Sequence, residues 1–298
     1  EEKETTASLI RGVLAKLHKA GYPVAGFDMY VTSTVLPGSG LSSSAACEVL
    51  IGTTGNHLFC QDKFDAAENE YFGKPCGLMD QTASSVGDAV AIDFKDPANP
   101  IVRSINADLT GLGLALCIID CGADHAALTN EYASIPEEMS KVAAHFGKKV
   151  LREVKEEDLL ADLAQVRKEA GDRAVLRALH FYADDRRAAE EADALERKDK
   201  EAFLNLVKES GRSSWELLQN ITPAAAITHQ DMAVALAVAE KALNGKGACR
   251  VHGGGFAGTI QAFVPVEDVC EFKKTMETML SEGCCHVLSI RPAGGLIL

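Results

Sequence analysis

Apolar positions in the first fifty residues predict a helix, a strand and a second helix. The first helix is amphipathic and ends near Gly21; its apolar face consists of Leu9, Ile10, Val13, Leu14 and Leu17. Between Phe27 and Val35, apolar and polar residues alternate, which is typical of a half-buried strand. A serine is expected to cap the second helix. The apolar set of that helix is Ala45, Ala46, Val49 and Leu50.

The same patterns predict a mixed architecture for the rest of the chain. Four further stretches have strand-like patterns, namely 89–94, 114–120, 248–252 and 259–264, and a last strand is expected near 286–291. Helical patterns cover 65–72, most of 136–243, and 269–280. Alternating helices and strands in both halves favour an α+β fold of two lobes, residues 1–110 and 111–298.

Composition and charge narrow the class of protein. The 298 residues are 47% hydrophobic and 24% charged, and 43 acidic against 30 basic side chains give a net charge of −13. This balance argues against nucleic acid or an anionic membrane as a partner. No membrane-spanning apolar run or signal-peptide pattern is found, and the cysteines show no paired zinc spacing. We therefore expect a cytoplasmic protein with reduced thiols.

A loop rich in glycine and serine lies between the predicted strand and the second helix. Its seven residues are Gly38, Ser39, Gly40, Leu41, Ser42, Ser43 and Ser44. Unpaired backbone N–H groups and a partial positive charge at a helix N-terminus favour bound anions, and glycines allow close approach. No lysine follows the glycines, so this is not a Walker loop. The loop is predicted to bind phosphate; the alternative is a turn that simply caps the helix.

Two carboxylates are candidates for phosphoryl-transfer chemistry. Asp80 follows an irregular stretch that could direct its side chain into a cleft, and Glu68 lies on a predicted helix. Taken alone, Asp80 is read as a helix cap or turn residue and Glu68 as a solvent-facing acid. Together with a phosphate loop, however, the two carboxylates become candidates for the reaction, because phosphoryl transfer needs a metal ligand and a group that positions the acceptor hydroxyl. Mg²⁺ prefers hard oxygen ligands, so Ser44 and Glu68 form a chemically sensible pair.

Three motifs resemble those of the GHMP small-molecule kinases. Residues 37–46 are similar to the second signature of that superfamily, and residues 253–258 to the third. Within the superfamily, Ala67-Glu68 and residues 75–81 resemble the galactokinase pattern. The resemblance implies a two-lobed GHMP-kinase-like fold. It also implies ATP-dependent phosphorylation of the 1-hydroxyl of galactose, with ATP and Mg²⁺ as cofactors.

The resemblance also implies roles for individual residues. Ser44 and Glu68 would bind Mg²⁺, and Asp80 would act as the catalytic base. Gly77 and Tyr132 would line the sugar pocket. The third motif would support the nucleotide loop, and we expect that a Cβ atom at Gly254 or Gly255 does not fit.

Some positions depart from the galactokinase pattern. The first motif, which reads like Gly-Arg-x-Asn-x-Ile-Gly-Glu-His-x-Asp-Tyr and supplies an arginine and sugar ligands, has no counterpart in these 298 residues. Asp124 stands where the family has Lys or Arg, and residues 135–138 replace an arginine pair. These departures predict an incomplete N-terminal lobe, weak or absent turnover by this chain, and a tendency to self-associate.

Three alternatives remain open at this point. The chain could be a silent ATP and sugar sensor, which would bind both ligands without turnover. It could be a kinase for a related sugar such as N-acetylgalactosamine. It could also be an interaction module whose missing lobe comes from a second polypeptide.

Overall fold

The chain forms two compact units. The computed structural model describes residues 5–35, 42–60, 79–96, 98–122 and 128–298. Unit 1 consists of Glu1–Ala107 together with Ile290–Leu298, and unit 2 of Asp108–Ser289. The predicted helix at 65–72 lies outside the described residues.

Unit 1 is built on helices and a two-stranded sheet. Its helices are α1 (Thr6–Lys19), α2 (Ser43–Gly55), which continues into a π-helical turn at Asn56–Cys60, and α3 (Met79–Val86). Strands β1 (Ala89–Asp93) and β2 (Ile101–Ile105) pair antiparallel, with Ala89 opposite Ile105. Val13 and Leu17 of α1 form a shared core with Val49 and Ile51 of α2. The predicted apolar face of α1 is confirmed, whereas on α2 the predicted Leu50 is 40% exposed and Ile51 is buried instead.

The strand predicted at 27–35 is wrong, because residues 23–34 have no regular secondary structure. Phe27 and Met29 are half-buried while Asp28 and Tyr30 are exposed, so the alternation of the sequence is real. No neighbouring strand among the described residues completes a hydrogen-bond ladder with this segment, and a strand needs that ladder. Strand β2 was not predicted from the sequence; its first residue, Ile101, is 68% exposed.

Unit 2 contains a four-stranded antiparallel sheet in the order β4-β5-β3-β6. The strands are β3 (Leu114–Asp120), β4 (Ala248–Val251), β5 (Thr259–Pro265) and β6 (Cys285–Leu288). Cys117 pairs with Ala262 across the two central strands. Helices α9 (Asp231–Leu243) and α10 (Val269–Met279) share a buried apolar core with the sheet. The strand predicted near 286–291 begins one residue earlier and ends at Leu288.

The predicted helical region forms the rest of unit 2. Its helices are α4 (Thr129–His145), α5 (Glu156–Ala161), α6 (Leu163–Ala170), α7 (Asp172–Glu196) and α8 (Lys200–Ser213). Buried residues on α4, α6 and α7, including Val142, Val166 and Ala178, form a second apolar core. Within the described ranges, no helix is both long and apolar enough to cross a membrane.

The last nine residues pack within unit 1 through close backbone contact. The amide of Asp88 donates a hydrogen bond to the carbonyl of Arg291 over 2.7 Å. A Cβ atom at Gly294 would lie less than 3.0 Å from the backbone of Ser85, a separation that real Cβ atoms essentially never show. Glycine is therefore required at this position because the two backbones touch, and a larger residue would push the segment away.

Candidate functional site

Ser42 begins helix α2 in an unusual backbone conformation. Its φ is 55° and its ψ is 41°, in the left-handed region that non-glycine residues rarely adopt. The prediction that a serine caps this helix is wrong for Ser42, whose side chain makes no capping hydrogen bond. Its hydroxyl instead donates to Oδ2 of Asp80 over 2.7 Å. The first N–H groups of α2 have no partner within the helix, as at any helix start.

Asp80 lies in the first turn of α3, where a carboxylate interacts favourably with the helix dipole. This position agrees with the plain reading of Asp80 as a residue at a helix start. The structure nevertheless also brings its carboxylate to the serine-rich start of α2. The next residue, Gln81, donates through Nε2 to Oε2 of Glu48 on α2 over 3.1 Å. Two successive residues of α3 are thus hydrogen-bonded to α2 or to Ser42, the residue directly before it.

An open groove of about 910 Å³ runs through unit 1 beside these residues. Ser43, Ser44, Glu48 and Asp80 all line it. The described lining holds these two carboxylates and one basic side chain, Arg291. The volume is in the range of small-molecule sites, about 300–1,000 Å³. With so little positive charge in the lining, an anionic ligand would depend on backbone N–H groups at the start of α2.

Several predicted site residues fall outside the described residues. They are Gly38, Ser39, Gly40 and Leu41 of the loop, the metal ligand Glu68, and the sugar-pocket residue Gly77. Asp124 also falls outside them. Their roles stay predictions.

The described part of unit 1 has hard oxygen donors for a metal ion. No group of three or more His, Cys, Asp or Glu side chains that could hold a metal occurs among the described residues. Mg²⁺ bound with a nucleotide usually takes only one or two protein ligands, and phosphates and waters complete its coordination. The Ser44 hydroxyl and the carboxylates in the groove lining are compatible with such a site.

Tyr132 lies in unit 2, on the first turn of α4. Its hydroxyl donates to the carbonyl of Gly255 over 2.7 Å, and its ring meets the ring of Phe256 edge to face, with centroids 5.6 Å apart. Burial raises the pKa of the Tyr132 hydroxyl above its ordinary value. The structure therefore assigns Tyr132 a contact with the third motif, and its predicted contact with sugar stays a prediction.

The glycines of the third motif form a tight turn against Asn220. Gly255 has a φ of 84°, and a Cβ atom there would lie 2.7 Å from Nδ2 of Asn220 and closer still to its carbonyl oxygen. At Gly254 a Cβ atom would lie 2.8 Å from Cε1 of Tyr132. The prediction that a side chain does not fit at either glycine is confirmed. The neighbours that exclude the side chain are Asn220 and Tyr132.

Sequence reasoning missed Asn220, a buried residue that holds this turn from two sides. Its Nδ2 donates to the carbonyl of Gly254 over 3.1 Å, and its carbonyl accepts from the amide of Phe256 over 2.6 Å. No motif or spacing marks Asn220 in the sequence. A buried amide that satisfies backbone groups is visible only when two distant segments are brought together.

Glu138 also has a structural role that the sequence did not reveal. It is one of the four residues predicted to replace an arginine pair, and it accepts hydrogen bonds from Arg173 and the fully buried Arg177. Burial alone would raise the pKa of the Glu138 carboxyl. The hydrogen bond from Arg173 and the charges of both arginines outweigh it, so the pKa lies below its ordinary value. Arg177 also donates to Ser134 on α4.

His145, at the end of α4, is held between two carboxylates. Its ring nitrogens lie 2.7 Å from Oε2 of Glu169 and 2.8 Å from Oδ2 of Asp162. These two hydrogen bonds raise the pKa of His145 above its ordinary value. The protonated ring is therefore favoured in the folded protein.

Comparisons with known proteins identify related kinases. A family model described as the GHMP kinases N terminal domain matches residues 8–88, which include most of α1 and all of α2 and α3. Galactokinase from Streptomyces coelicolor is 33% identical over 278 residues, covering 89% of this chain and 68% of that protein. Galactokinase from Glaesserella parasuis is 30% identical over 285 residues, covering 92% of this chain and 71% of that protein.

Solved structures of low sequence identity share the fold. The galactokinase of Lactococcus lactis, solved in complex with galactose, aligns with a TM-score of 0.74 at 22% identity, over 99% of this chain and 77% of that one. The mevalonate kinase of L. major, solved with R-mevalonate, gives a TM-score of 0.57 at 11% identity, over 99% and 78%. The predicted α+β fold of GHMP-kinase type is confirmed. With relatives at this identity over most of its length, the chain belongs to the galactokinase family of the GHMP kinases.

Proposed function

We propose that this chain is an ATP-dependent sugar kinase that transfers the γ-phosphoryl group of ATP to the 1-hydroxyl of galactose. The observation that carries the proposal is 33% identity to a galactokinase across 89% of the chain. The groove of unit 1 supports it, because it places a helix N-terminus suited to phosphate beside a carboxylate.

The nucleotide would bind at the start of α2. Residues 38–44 would surround the phosphates, and backbone N–H groups of α2 would donate to their oxygens. Ser44 and Glu68 would hold Mg²⁺, which neutralises charge on the β- and γ-phosphates when bound. The chain has a net charge of −13, so its overall charge does not attract a nucleotide. The backbone N–H groups and the metal ion would provide the positive charge that the phosphates need.

Asp80 would act on the sugar. As the 1-hydroxyl oxygen forms a bond to the γ-phosphorus, the bond from that phosphorus to the β,γ-bridging oxygen breaks and ADP leaves. Asp80 accepts the hydroxyl proton and later releases it to water. Positioning supplies most of the catalysis in this reaction, so the carboxylate must lie at a fixed place and angle.

Gly77 and Tyr132 would line the sugar pocket. The Tyr132 hydroxyl already donates its proton to Gly255, so toward a sugar it would serve as an acceptor for a hydroxyl group. We further propose a cytoplasmic protein whose ligands are galactose and ATP, without a nucleic-acid or membrane partner. Tyr30 and Val31, which are exposed apolar residues between α1 and α2, favour self-association.

A coupled assay of ADP release tests the proposed reaction. The native gene product is assayed with MgATP and galactose, with N-acetylgalactosamine, and without sugar. We expect ADP release with galactose and a sugar 1-phosphate as product in ³¹P spectra. Faster turnover of N-acetylgalactosamine would identify the related-sugar kinase. Calorimetric binding of ATP and galactose without ADP release would identify the silent sensor.

Calorimetry also tests the metal assignment. Ser44→Ala removes one hydroxyl ligand, so we expect weaker ATP binding in the presence of Mg²⁺ and little change in its absence. The thermal unfolding of the variant serves as a control for folding. Equal ATP affinity of mutant and wild type under both conditions would remove Ser44 from the metal site.

A further inference from the structure

The hydroxyl of Ser42 has one proton and two possible acceptors. A serine hydroxyl donates a single hydrogen bond. In the loop motif its expected acceptor is a phosphate oxygen, whereas the structure directs it to Oδ2 of Asp80 over 2.7 Å. Ionised phosphate and ionised carboxylate are both acceptors, so the hydroxyl cannot donate to both at once.

We propose that Ser42 is a positioning residue for the carboxylate of Asp80 and is not a phosphate ligand. This inference rests on the proposed function, in which Asp80 receives the proton of the sugar hydroxyl. Among the described residues, the Ser42 hydroxyl is the hydrogen-bond donor that the structure places on this carboxylate. It holds Oδ2, which leaves Oδ1 to face the acceptor hydroxyl.

The local conformation of Ser42 supports this role. A serine at a helix start usually caps it, and such a cap stabilises the helix. Ser42 forgoes the cap and adopts a left-handed φ of 55°. Both features disfavour the helix start, and together they turn the side chain toward α3. Local rules broken in this way are typical of functional positions.

Phosphate does not need this hydroxyl. The start of α2 offers several N–H groups that have no partner inside the helix, and these suit phosphate oxygens. Ser43 and Ser44 also line the groove, and their hydroxyl groups are further possible donors to phosphate. Asp80, in contrast, accepts the hydrogen bond of Ser42.

The hydrogen bond between Gln81 and Glu48 fixes the frame in which Ser42 acts. It joins α3 to α2 at the residue that follows Asp80, with Nε2 and Oε2 3.1 Å apart. This bond anchors α3 to α2. The carboxylate of Asp80 can still rotate about its side-chain bonds, and the hydrogen bond from Ser42 restricts that rotation. A misplacement of about 1 Å in a reacting group can cost on the order of 100-fold in rate.

Three substitutions of Ser42 separate the hydroxyl from the backbone conformation. Ser42→Ala removes the hydroxyl and keeps a Cβ atom in the left-handed region. Ser42→Gly removes the hydroxyl and relieves the backbone. Ser42→Asn tolerates the left-handed conformation and supplies an amide donor.

With the substitutions made in the native gene product, we expect kcat on galactose to fall about 10- to 100-fold in Ser42→Ala and Ser42→Gly, with ATP affinity within about twofold of wild type. Ser42→Asn should recover part of the lost kcat. Weakened ATP binding with kcat retained would make Ser42 a phosphate ligand and overturn the proposal. So would a Ser42→Asn variant that is no better than Ser42→Gly.

A double-mutant cycle on stability measures the same bond without turnover. The variants are Ser42→Gly, Asp80→Ala and the double mutant, compared by their unfolding constants in urea. We expect non-additivity of about tenfold in the unfolding constant, because the bond is lost only once. Additive effects would overturn the positioning role. A native gene product that releases no ADP on galactose would instead count against the proposed function.

Discussion

Gly255→Ala is expected to destabilise unit 2 far more than the same substitution two residues earlier. Gly253 and Gly255 both have positive φ, 67° and 84°, so alanine pays about 1 kcal/mol for the left-handed backbone at either position. At Gly253 nothing lies within 4 Å of the added Cβ atom. At Gly255 the Cβ atom meets the carbonyl and amide of Asn220. Gly253→Ala is therefore a matched control for backbone strain.

The difference between the two variants follows from the contacts of the turn. Overpacking costs about 1–3 kcal/mol in general. Moving Asn220 aside also breaks the 2.6 Å hydrogen bond from the amide of Phe256 to the carbonyl of Asn220. It disturbs the 2.7 Å hydrogen bond from the Tyr132 hydroxyl to the carbonyl of Gly255 as well, and each bond contributes about 1 kcal/mol net. We expect Gly255→Ala to lower the free energy of unfolding by about 3 kcal/mol more than Gly253→Ala.

Urea unfolding followed by tryptophan fluorescence measures this difference. The sequence has one tryptophan, Trp215, which lies in the turn after α8 in the same unit as the glycine turn. With a slope of about 2.5 kcal/mol per M urea, the extra cost lowers the midpoint by about 1.2 M relative to Gly253→Ala. Equal midpoints for the two variants would refute the close approach of Gly255 and Asn220.

Three further predictions concern other parts of the chain. Arg177→Met breaks a buried ion pair and should cost about 3 kcal/mol in urea unfolding, whereas Arg167→Met, at a solvent-exposed pair, should leave the urea midpoint nearly unchanged; equal costs would contradict the buried network. Gly294→Ala should speed amide hydrogen exchange in the segment before β1, because the added methyl group separates the last nine residues from that segment. Gly12→Ala, where nothing lies near the added Cβ atom, should leave this exchange unchanged. Unchanged exchange in Gly294→Ala would contradict the backbone contact. Hydrogen bonds to two carboxylates raise the pKa of His145, so its stabilisation is full below its ordinary pKa of 6.5 and is lost as the pH rises through the higher folded value. The urea midpoint of the wild type should therefore fall over that range relative to His145→Gln, and parallel profiles would contradict the assignment.

The sequence predicted the elements that have a clear apolar pattern, and it failed where the pattern was weak or where no described segment pairs with it. Helix α10 and the strands β1, β3, β4 and β5 were predicted within one or two residues, because their apolar patterns are clear. The middle of the chain was predicted only as a mostly helical region, and α4 begins at Thr129, before that region. Helix α3 was not predicted. The segment at 27–35 has the alternation of a strand without a described neighbour to pair with. Periodicity reports which side chains are apolar, and it contains no information about which segment lies alongside.

The candidate site was predicted in type but not in arrangement. Glycine and serine at a helix start indicated phosphate binding, and family resemblance selected Asp80. The bond from Ser42 to Asp80 joins residues 38 positions apart, and the turn of Gly255 against Asn220 joins two other distant segments. Such contacts depend on how helices and turns pack, so residue types and spacing could not supply them.

Asp80→Asn tests the central claim most directly. The variant keeps the size of the side chain and removes the carboxylate that would accept the sugar proton. ADP release on galactose is compared between wild type and variant in the native gene product, with calorimetry of ATP and galactose binding as the control for an intact site. We expect binding to be retained and turnover to fall about 100-fold or more. A variant that releases ADP at the wild-type rate would contradict the role of Asp80 and the mechanism built on it.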